Sequence, residues 1–501
     1  MAKYRSLLRL ARRQLSTEAA RSFDDIPGPK CVPMIGTAWK YLPFIEKEFT
    51  GDYDMGRLHV TNEKKYKEFG PIVREEVVPG VFIVSVFTPE DIEKVYKAEG
   101  KYPARRSHLA VQHFRLSRPH IYNSGGLLPT NGDEWWRLRS AFQKSLSKLQ
   151  NVREFLPVGD AVVKDFLDRI VGDGADVEDW QPLAARLGLE LTWTAMFGER
   201  LANFKRPGGQ NLDTPARLMF AAESANFCIL TTDNTEQLWK RWKTPAYRRI
   251  ERHLSYIESI LLPALLKKKH QIETRDPQEP VGLLEEYFSI KDVDFKDVTG
   301  MSVDLILGGI DTTSYTSSFL LWHLTQNPDV QEKLREESKR LLPEDSSQVT
   351  SEVLREALYA RAVLKETFRL NPIAIGISRN LAEDTVLSGY MVPKNTLVIT
   401  QNMVACRQIR YFEDPLKFKP DRWVKGSASY NQVSPYLVLP FSHGPRTCIA
   451  RRLAEQNLLT LLIKLMRNYK LEWIGSGTVG IVTPLICKPD RPVKLRLTPW
   501  Q

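Results

Sequence analysis

Apolar residues recur every three to four positions over most of the central chain, and this spacing predicts a succession of amphipathic helices. They fall at 133–149, 151–170, 181–196, 245–269, 292–326 and 351–370, and one more opens near Ile449. Strand character is confined to shorter runs. Residues 72–78 and 81–87, split by Pro79-Gly80, read as a hairpin, after which Thr88-Pro89-Glu90-Asp91 caps a helix start. Short strands mixed with turns occupy 375–400, and strand-like residues return after Gly475. The three prolines of 26–36 forbid a helix and favour stiff, extended chain, so folding is expected to begin there. From Tyr102 to Gly132 the chain is loop-like, yet it carries His108, His113, Phe114, Ile121 and Tyr122, and a loop of that length in a compact enzyme is usually functional. The expected class is mainly α with smaller β-sheets.

Composition narrows the picture. With 42% hydrophobic and 26% charged residues, the 501-residue chain falls in the ordinary globular range. The formal charge of +11 is unevenly spread: Lys3, Arg5, Arg9, Arg12, Arg13 and Arg21 stand against Glu18 alone. Leu7, Leu8, Leu10 and Leu15 can share one helical face there, so residues 1–25 resemble a mitochondrial transit peptide and 26–501 are expected to form the folded domain. A frayed basic N-terminus is the alternative. No stretch reaches the roughly 18 consecutive apolar residues that a membrane anchor needs. Lys267-Lys-Lys-His270 and the charged stretch after it read as a solvated linker between helices, not as a nucleic-acid contact. Five cysteines (Cys31, Cys228, Cys406, Cys448 and Cys487), without a C-x-x-C pair, argue against a disulfide framework or a structural zinc site.

The chemistry concentrates in a few short segments. In Phe441-Ser-His-Gly-Pro-Arg-Thr-Cys448, Gly444 permits a tight loop, Arg446 offers a cation to an anionic partner, and Cys448 sits just before a helix N-terminus. Helix dipole and free N–H groups there are expected to favour the thiolate, which can bind iron and push electron density onto it. His443 is the rival ligand. In Gly308-Gly-Ile-Asp311-Thr312-Thr313 two glycines interrupt an apolar helix, and close approach to a flat ligand would explain them. Asp311 and Thr312 then place a carboxylate and a hydroxyl at adjacent positions, a pair suited to proton delivery as a general acid. Glu366 and Arg369 are three apart on one helix face and can pair, and Trp135 and Arg139 are four apart and can point at one partner. Arg361 and Lys365 are likewise one turn apart, while Arg451 and Arg452 open the helix after Cys448, where cations oppose the helix dipole.

These segments resemble the cytochrome P450 family, whose haem-binding loop reads F-x-x-G-x-R-x-C-x-G and whose central helix carries [A/G]-G-x-[D/E]-T-[T/S]. One position departs: Ala450 stands where the family usually has Gly, and one methyl should be tolerated at a helix start. The resemblance runs from Ile26 to the C-terminus. It implies a single haem-binding domain with haem b on Cys448, lined by Phe441, with Trp135, Arg139, Arg379 and Arg446 serving the propionates. It also implies that Arg422, in Phe418-Lys-Pro-Asp-Arg422-Trp423, locks Glu366 and Arg369 into a buried structural triad. Dioxygen is then the co-substrate, and one of its oxygen atoms enters a lipophilic substrate.

The leader, Leu238-Trp-Lys-Arg-Trp-Lys-Thr-Pro-Ala-Tyr247 and Cys448-Ile-Ala-Arg451-Arg452-Leu-Ala-Glu455 look like the mitochondrial branch. That branch takes electrons from NADPH through ferredoxin reductase and a small acidic ferredoxin. Arg361, Lys365, Arg451 and Arg452 match its docking face. The segments 102–109 and 121–130 further resemble arthropod ecdysteroid 22-hydroxylases, which implies a sterol substrate in moulting-hormone synthesis and a place on the matrix side of the inner membrane. Peripheral membrane contact through apolar residues around 220–238 is expected, with a core helix there as the alternative. A mitochondrial enzyme oxidising foreign compounds, or a haem-thiolate isomerase or haem sensor that never activates oxygen, would share many of these parts.

Overall fold

The computed structural model describes residues 20–41, 52–201, 204, 213–233, 237–274 and 282–500; most of the leader, 1–19, lies outside the described residues. Tertiary contacts divide the chain into two compact units.

The first comprises Met1–Arg106, Ala374–Pro415 and Val433–Arg446. Its centre is a four-stranded sheet of β1 (Ile72–Val78), β2 (Val81–Val86), β3 (Ile377–Asn380) and β4 (Leu397–Thr400), in the order β1-β2-β4-β3. The β1–β2 hairpin is antiparallel, with Ile72 opposite Val86, and Pro79-Gly80 makes its turn. Strand β2 then pairs parallel to β4, which brings together two segments some three hundred residues apart in the chain. Val84, Val86 and Val398 are fully buried on the sheet. The Thr88 hydroxyl accepts the Asp91 N–H and caps the helix Pro89–Lys97.

The second unit comprises Ser107–Ile373, Leu416–Gln432 and Thr447–Gln501 and is mainly helical. Nine of its helices matter below: α1 (Leu109–Leu116), α2 (Gly132–Ser147), α3 (Trp180–Phe197), α4 (Thr214–Asp233), α5 (Pro245–Thr274), α6 (Phe295–Gly309), α7 (Asp311–Gln326), α8 (Leu358–Leu370) and α9 (Arg451–Asn468). Helix α4 lies along α5, α3 packs on both α6 and α7, and α9 contacts α2 and α8. A three-stranded sheet of Ala175–Val177, Leu495–Pro499 and Tyr469–Trp473 closes one side. Trp135, Leu138, Met301, Ile306, Leu307 and Ile310 belong to one continuous apolar cluster, and Ile449, Ala450 and Leu453 pack on it.

Several expectations change. The loop-like 102–132 contains α1, which lacks a local side-chain cap; His108 precedes it in the left-handed region at φ 61°. Its first N–H groups are taken by a distant carboxylate, since Asp233 accepts from His108 N at 2.6 Å and Leu109 N at 2.9 Å. The single helix expected at 292–326 is two, broken at Ile310, and 351–370 is broken at Ala357. After that break, Glu337 accepts the N–H groups of Tyr359 and Ala360, both at 2.8 Å. Lys267 to His270 form the last turns of α5, so the expected linker is helical there. Pro328–Leu341, not anticipated, is also a helix.

The segment after α1 is held by charge. Arg115 and Asp304 of α6 form an ion pair at 2.7 Å with both side chains buried. Asp304 also accepts the N–H groups of Leu127 and Leu128, and Arg115 donates to Gly125 O. Asp304→Leu strands a buried guanidinium, so denaturant unfolding should show a loss of about 3–5 kcal/mol. Combining it with Arg115→Met should recover most of that loss.

Candidate active site

Cys448 sits two residues before the N-cap of α9, Ala450. It is solvent-accessible, yet protein atoms surround it densely enough that burial pushes its thiol up, and this outweighs the Ala450 N–H and Arg139, which pull it down. The expected lowering by the helix end is therefore corrected: dipole and arginine together do not offset desolvation. Arg139 on α2 lies close enough to feel the sulfur's charge. It is buried, its Nε donates to Gln143 at 3.1 Å, and among the described residues no carboxylate pairs with it. Burial accordingly holds its pKa below the usual guanidinium value. Trp135, one turn earlier, is fully buried beside Trp136.

The break between α6 and α7 forms the second element. Three successive carbonyls at the break receive side-chain donors: Leu307 O from Asn226 at 3.1 Å, Gly308 O from Thr312 at 2.7 Å, and Gly309 O from Thr313 at 2.9 Å. The two glycines have different reasons. A Cβ on Gly309 would meet Thr192 Oγ1 of α3 at 2.4 Å, so this glycine serves a helix crossing. At Gly308 a Cβ would meet nothing within 4 Å; that position is exposed within an otherwise buried helix. Helix α6 thus opens a flat, uncovered face at Gly308, with Thr312 one turn on.

Asp311 points elsewhere. Its Oδ2 accepts from Asn226 of α4 at 2.9 Å, and at 5% exposure its carboxyl is pushed up to about 7 by burial, against the pull of Asn226. Asn226 was not anticipated, because it lies in a run read as apolar. The only legible signal was one amide among apolar neighbours.

Glu366, Arg369 and Arg422 meet, all three buried. Arg369 grips Glu366 through two hydrogen bonds of 2.8 Å, and Arg422 Nε reaches the same carboxylate at 3.1 Å. Lys419 N and Trp423 Nε1, which sequence reasoning had not assigned, add bonds of 3.0 and 2.9 Å. Burial raises Glu366, but these donors more than reverse it and hold the carboxylate below its ordinary range.

Phe441, Arg379 and Arg446 belong to the first unit. Phe441 is half-buried. On β3, Arg379 is ion-paired with Glu99 at 2.6 Å, donates to Ser442 at 3.0 Å and lies over the Tyr96 ring. Burial pushes Glu99 up, with Arg379 and Arg446 opposing. Arg446 donates to Pro103 O. Gly444, at φ 73°, could not carry a side chain: its Cβ would lie 2.1 Å from Glu99 Oε1. The rival ligand His443 is set edge-on to Tyr96 and Tyr436. Among the basic residues, Arg361, Lys365, Arg451 and Arg452 are exposed on the adjoining helices α8 and α9. Lys365 caps the Trp423 ring at 3.9 Å and Arg451 pairs with Glu455.

A thiol before a helix, a buried arginine beside it that pairs with no carboxylate among the described residues, and a helix face left open beside a hydroxyl are the parts that a haem-thiolate site would use. The family model described as Cytochrome P450 matches residues 28–496, and the chain belongs to that family, as a haem-thiolate monooxygenase. It is 46% identical over 482 residues to "Cytochrome P450 302a1, mitochondrial" of Drosophila melanogaster, covering 95% of this chain and 96% of that one. It is 30% identical over 496 residues to "Ecdysone 20-monooxygenase" of the same fly (95% and 89% covered) and 28% identical over 493 residues to "Probable cytochrome P450 301a1, mitochondrial" (96% and 87%). The residues present fit haem: one soft sulfur donor, a buried cation without a carboxylate, and the uncovered strip at Gly308.

The raised Asp311 pKa has a stability consequence with a definite sign. The folded state holds this proton more tightly than the unfolded chain, so the stability it confers is complete below about pH 4 and is lost as pH rises through about 7. Asp311→Asn should therefore gain on the wild type across that window, by up to a few kcal/mol, and level off above it. Melting temperatures measured at a series of pH values check this.

Proposed function

We propose that this chain hydroxylates an ecdysteroid precursor at carbon 22 in the mitochondrion, at the matrix face of the inner membrane. The observation that carries the proposal is the 46% identity, over nearly the whole of both chains, to a mitochondrial relative. The 30% identity to a protein whose name makes ecdysone its substrate supports the steroid class. Residues 1–25 act as the transit peptide and 26–501 as the enzyme.

Bound haem supplies the iron at which dioxygen is reduced and its oxygen–oxygen bond split. Cys448, presented just before the N-terminus of α9, would supply the thiolate that holds the iron. In the second unit Trp135 and Arg139 would hold a propionate; in the first, Arg379 and Arg446 are the further cations for the propionates, with Glu99 sharing the charge of Arg379, and Phe441 would line the sulfur side. Thr312 presents its hydroxyl from the open face beside Gly308, and Asp311, whose carboxyl is pushed up to about 7 and so both gives and takes a proton near neutral pH, is the acid behind it. Glu366, Arg369 and Arg422 act structurally, anchoring the chain between α8 and the cysteine loop.

Membrane contact is peripheral. Among the described residues no helix is long and apolar enough to cross a membrane. Phe220, Phe227, Leu238 and Trp242 are exposed apolar residues, and Arg241, Lys243, Arg248 and Arg249 are exposed around them, a combination suited to an anionic bilayer surface.

The deciding experiment is incubation of the reconstituted enzyme with a panel of ecdysteroid precursors and foreign lipophiles under labelled dioxygen. A labelled 22-hydroxy ecdysteroid is the expected product. Turnover confined to foreign compounds, or product without label, would overturn the assignment.

Electrons come from NADPH through ferredoxin reductase and an acidic ferredoxin docking at Arg361, Lys365, Arg451 and Arg452, since a positive patch steers an acidic partner. Replacing Arg361→Glu together with Lys365→Glu should slow reduction by ferredoxin on the order of tenfold at low ionic strength. It should also flatten the salt dependence, while the substrate-binding spectrum stays unchanged. Stopped-flow reduction at several salt concentrations provides the check.

A further inference from the structure

Asn226 fixes more than the position of Asp311. Its amide nitrogen donates to Leu307 O as well as to Asp311 Oδ2, and a carbonyl can only accept, so the NH2 face is the one turned toward the acid. An amide NH2 offers a donor and takes no proton. A proton leaving Asp311 must be replaced from another direction.

One turn along α7, Tyr315 projects from the same helix face as Asp311, and three residues before Asn226 on α4 stands Glu223. The Tyr315 hydroxyl donates to Glu223 Oε1 at 3.0 Å, and Lys488 Nζ reaches the same oxygen at 3.0 Å. Two helices thus bring Asp311 and Tyr315 face to face with Asn226 and Glu223. Accessibility rises along the series: Asp311 and Tyr315 are buried, whereas the Lys488 and Glu223 side chains are 29% and 39% exposed. Burial raises Tyr315 most, with the charges of Asp311 and Glu223 adding to it, so the hydroxyl keeps its proton. The charged groups acting on Asp311 are Glu223 from α4 and Lys488 from the strand segment Lys488–Pro489.

We propose that Glu223 and Tyr315 form the inlet through which Asp311 is reprotonated from solvent, with Lys488 holding Glu223 in place and Asn226 acting as a positioning residue. The proposal rests on the reading of Asp311 as proton donor to Thr312. The step balances without any co-reactant. Asp311 gives its carboxyl proton inward. Glu223, a carboxylate at rest against Lys488 and Tyr315, takes a proton from solvent and hands it to the Tyr315 oxygen as Tyr315 releases its own hydroxyl proton toward the Asp311 carboxylate, which leaves Glu223 a carboxylate again. One proton enters from solvent for each one delivered, and every group returns to its starting state.

The test uses the haem-loaded enzyme with Glu223→Gln and Tyr315→Phe. Glutamine keeps the shape and the acceptor but carries no proton, and its half-exposed site keeps the fold intact. At rest, the Asp311 carboxyl band, identified in the infrared by its loss in Asp311→Asn, should exchange in D2O several-fold more slowly in both variants than in the wild type. In turnover, product per reductant consumed should fall several-fold and the solvent isotope effect on product formation should rise, with haem content and substrate-binding spectrum unchanged. Wild-type exchange and coupling in Glu223→Gln would overturn the inlet whatever Tyr315→Phe does. If Asp311→Asn itself couples normally, the reading of Asp311 as donor fails instead, and the exchange rates still decide whether the inlet exists.

Discussion

A carboxylate with no access to water must be answered by donors, and at Glu366 the chain provides them from its own next turn and from a segment some fifty residues away. Arg369, Arg422, Lys419 N and Trp423 Nε1 converge on its two oxygens. Arg369 also donates to Lys417 O, so the arginine ties down the backbone of the same segment. Buried charge of this kind adds little net stability compared with an apolar replacement. What it confers is uniqueness: only one placement of residues 417–423 against α8 satisfies every donor. The chain that continues to Cys448 departs from that fixed point, and Lys365, one turn before Arg369, is positioned on the outer side of the same tryptophan.

Much of this was legible beforehand. Long helices with a clear apolar period, the β1–β2 hairpin and the Thr88 cap are local matters, and local spacing discloses them. Features set by distant partners were hidden. Helix α1 owes its start to Asp233, and the start of α8 is capped by Glu337; neither carboxylate announces its target in the sequence. The break at Ile310 was suggested by two glycines, but not that one opens a face while the other admits a neighbouring helix. At Cys448 the expected sign of the thiol shift was reversed, because helix-end electrostatics is readable from position whereas desolvation is a property of the whole fold. Asn226, Glu223 and Lys488 escaped notice for a simpler reason: each is an unremarkable polar residue until three chain segments meet.

In the proposed mechanism the site divides its tasks between neighbouring residues on one helix. Thr312, one turn beyond Gly308, lies on the uncovered side of α6 and α7, while Asp311 turns inward toward α4. Adjacent residues on a helix point about 100° apart, so a hydroxyl at the ligand face and an acid in the protein interior are available from consecutive positions without distorting either. Desolvation then sets the acid's protonation. The same burial that makes Asp311 costly as an anion pushes its carboxyl up to about 7, so that it exchanges a proton near neutral pH.

Helix α1 has no nucleus of its own. It is eight residues long, below the length at which an isolated helix holds together in water, and its leading N–H groups are answered only when the end of α4 is in place. Its order is therefore borrowed. Any fluctuation that frays the last turn of α4 unwinds the opening turn of α1 at no further cost, so backbone amides in the two should exchange with solvent as one cooperative group. During folding, α1 should be among the last helices to acquire protection.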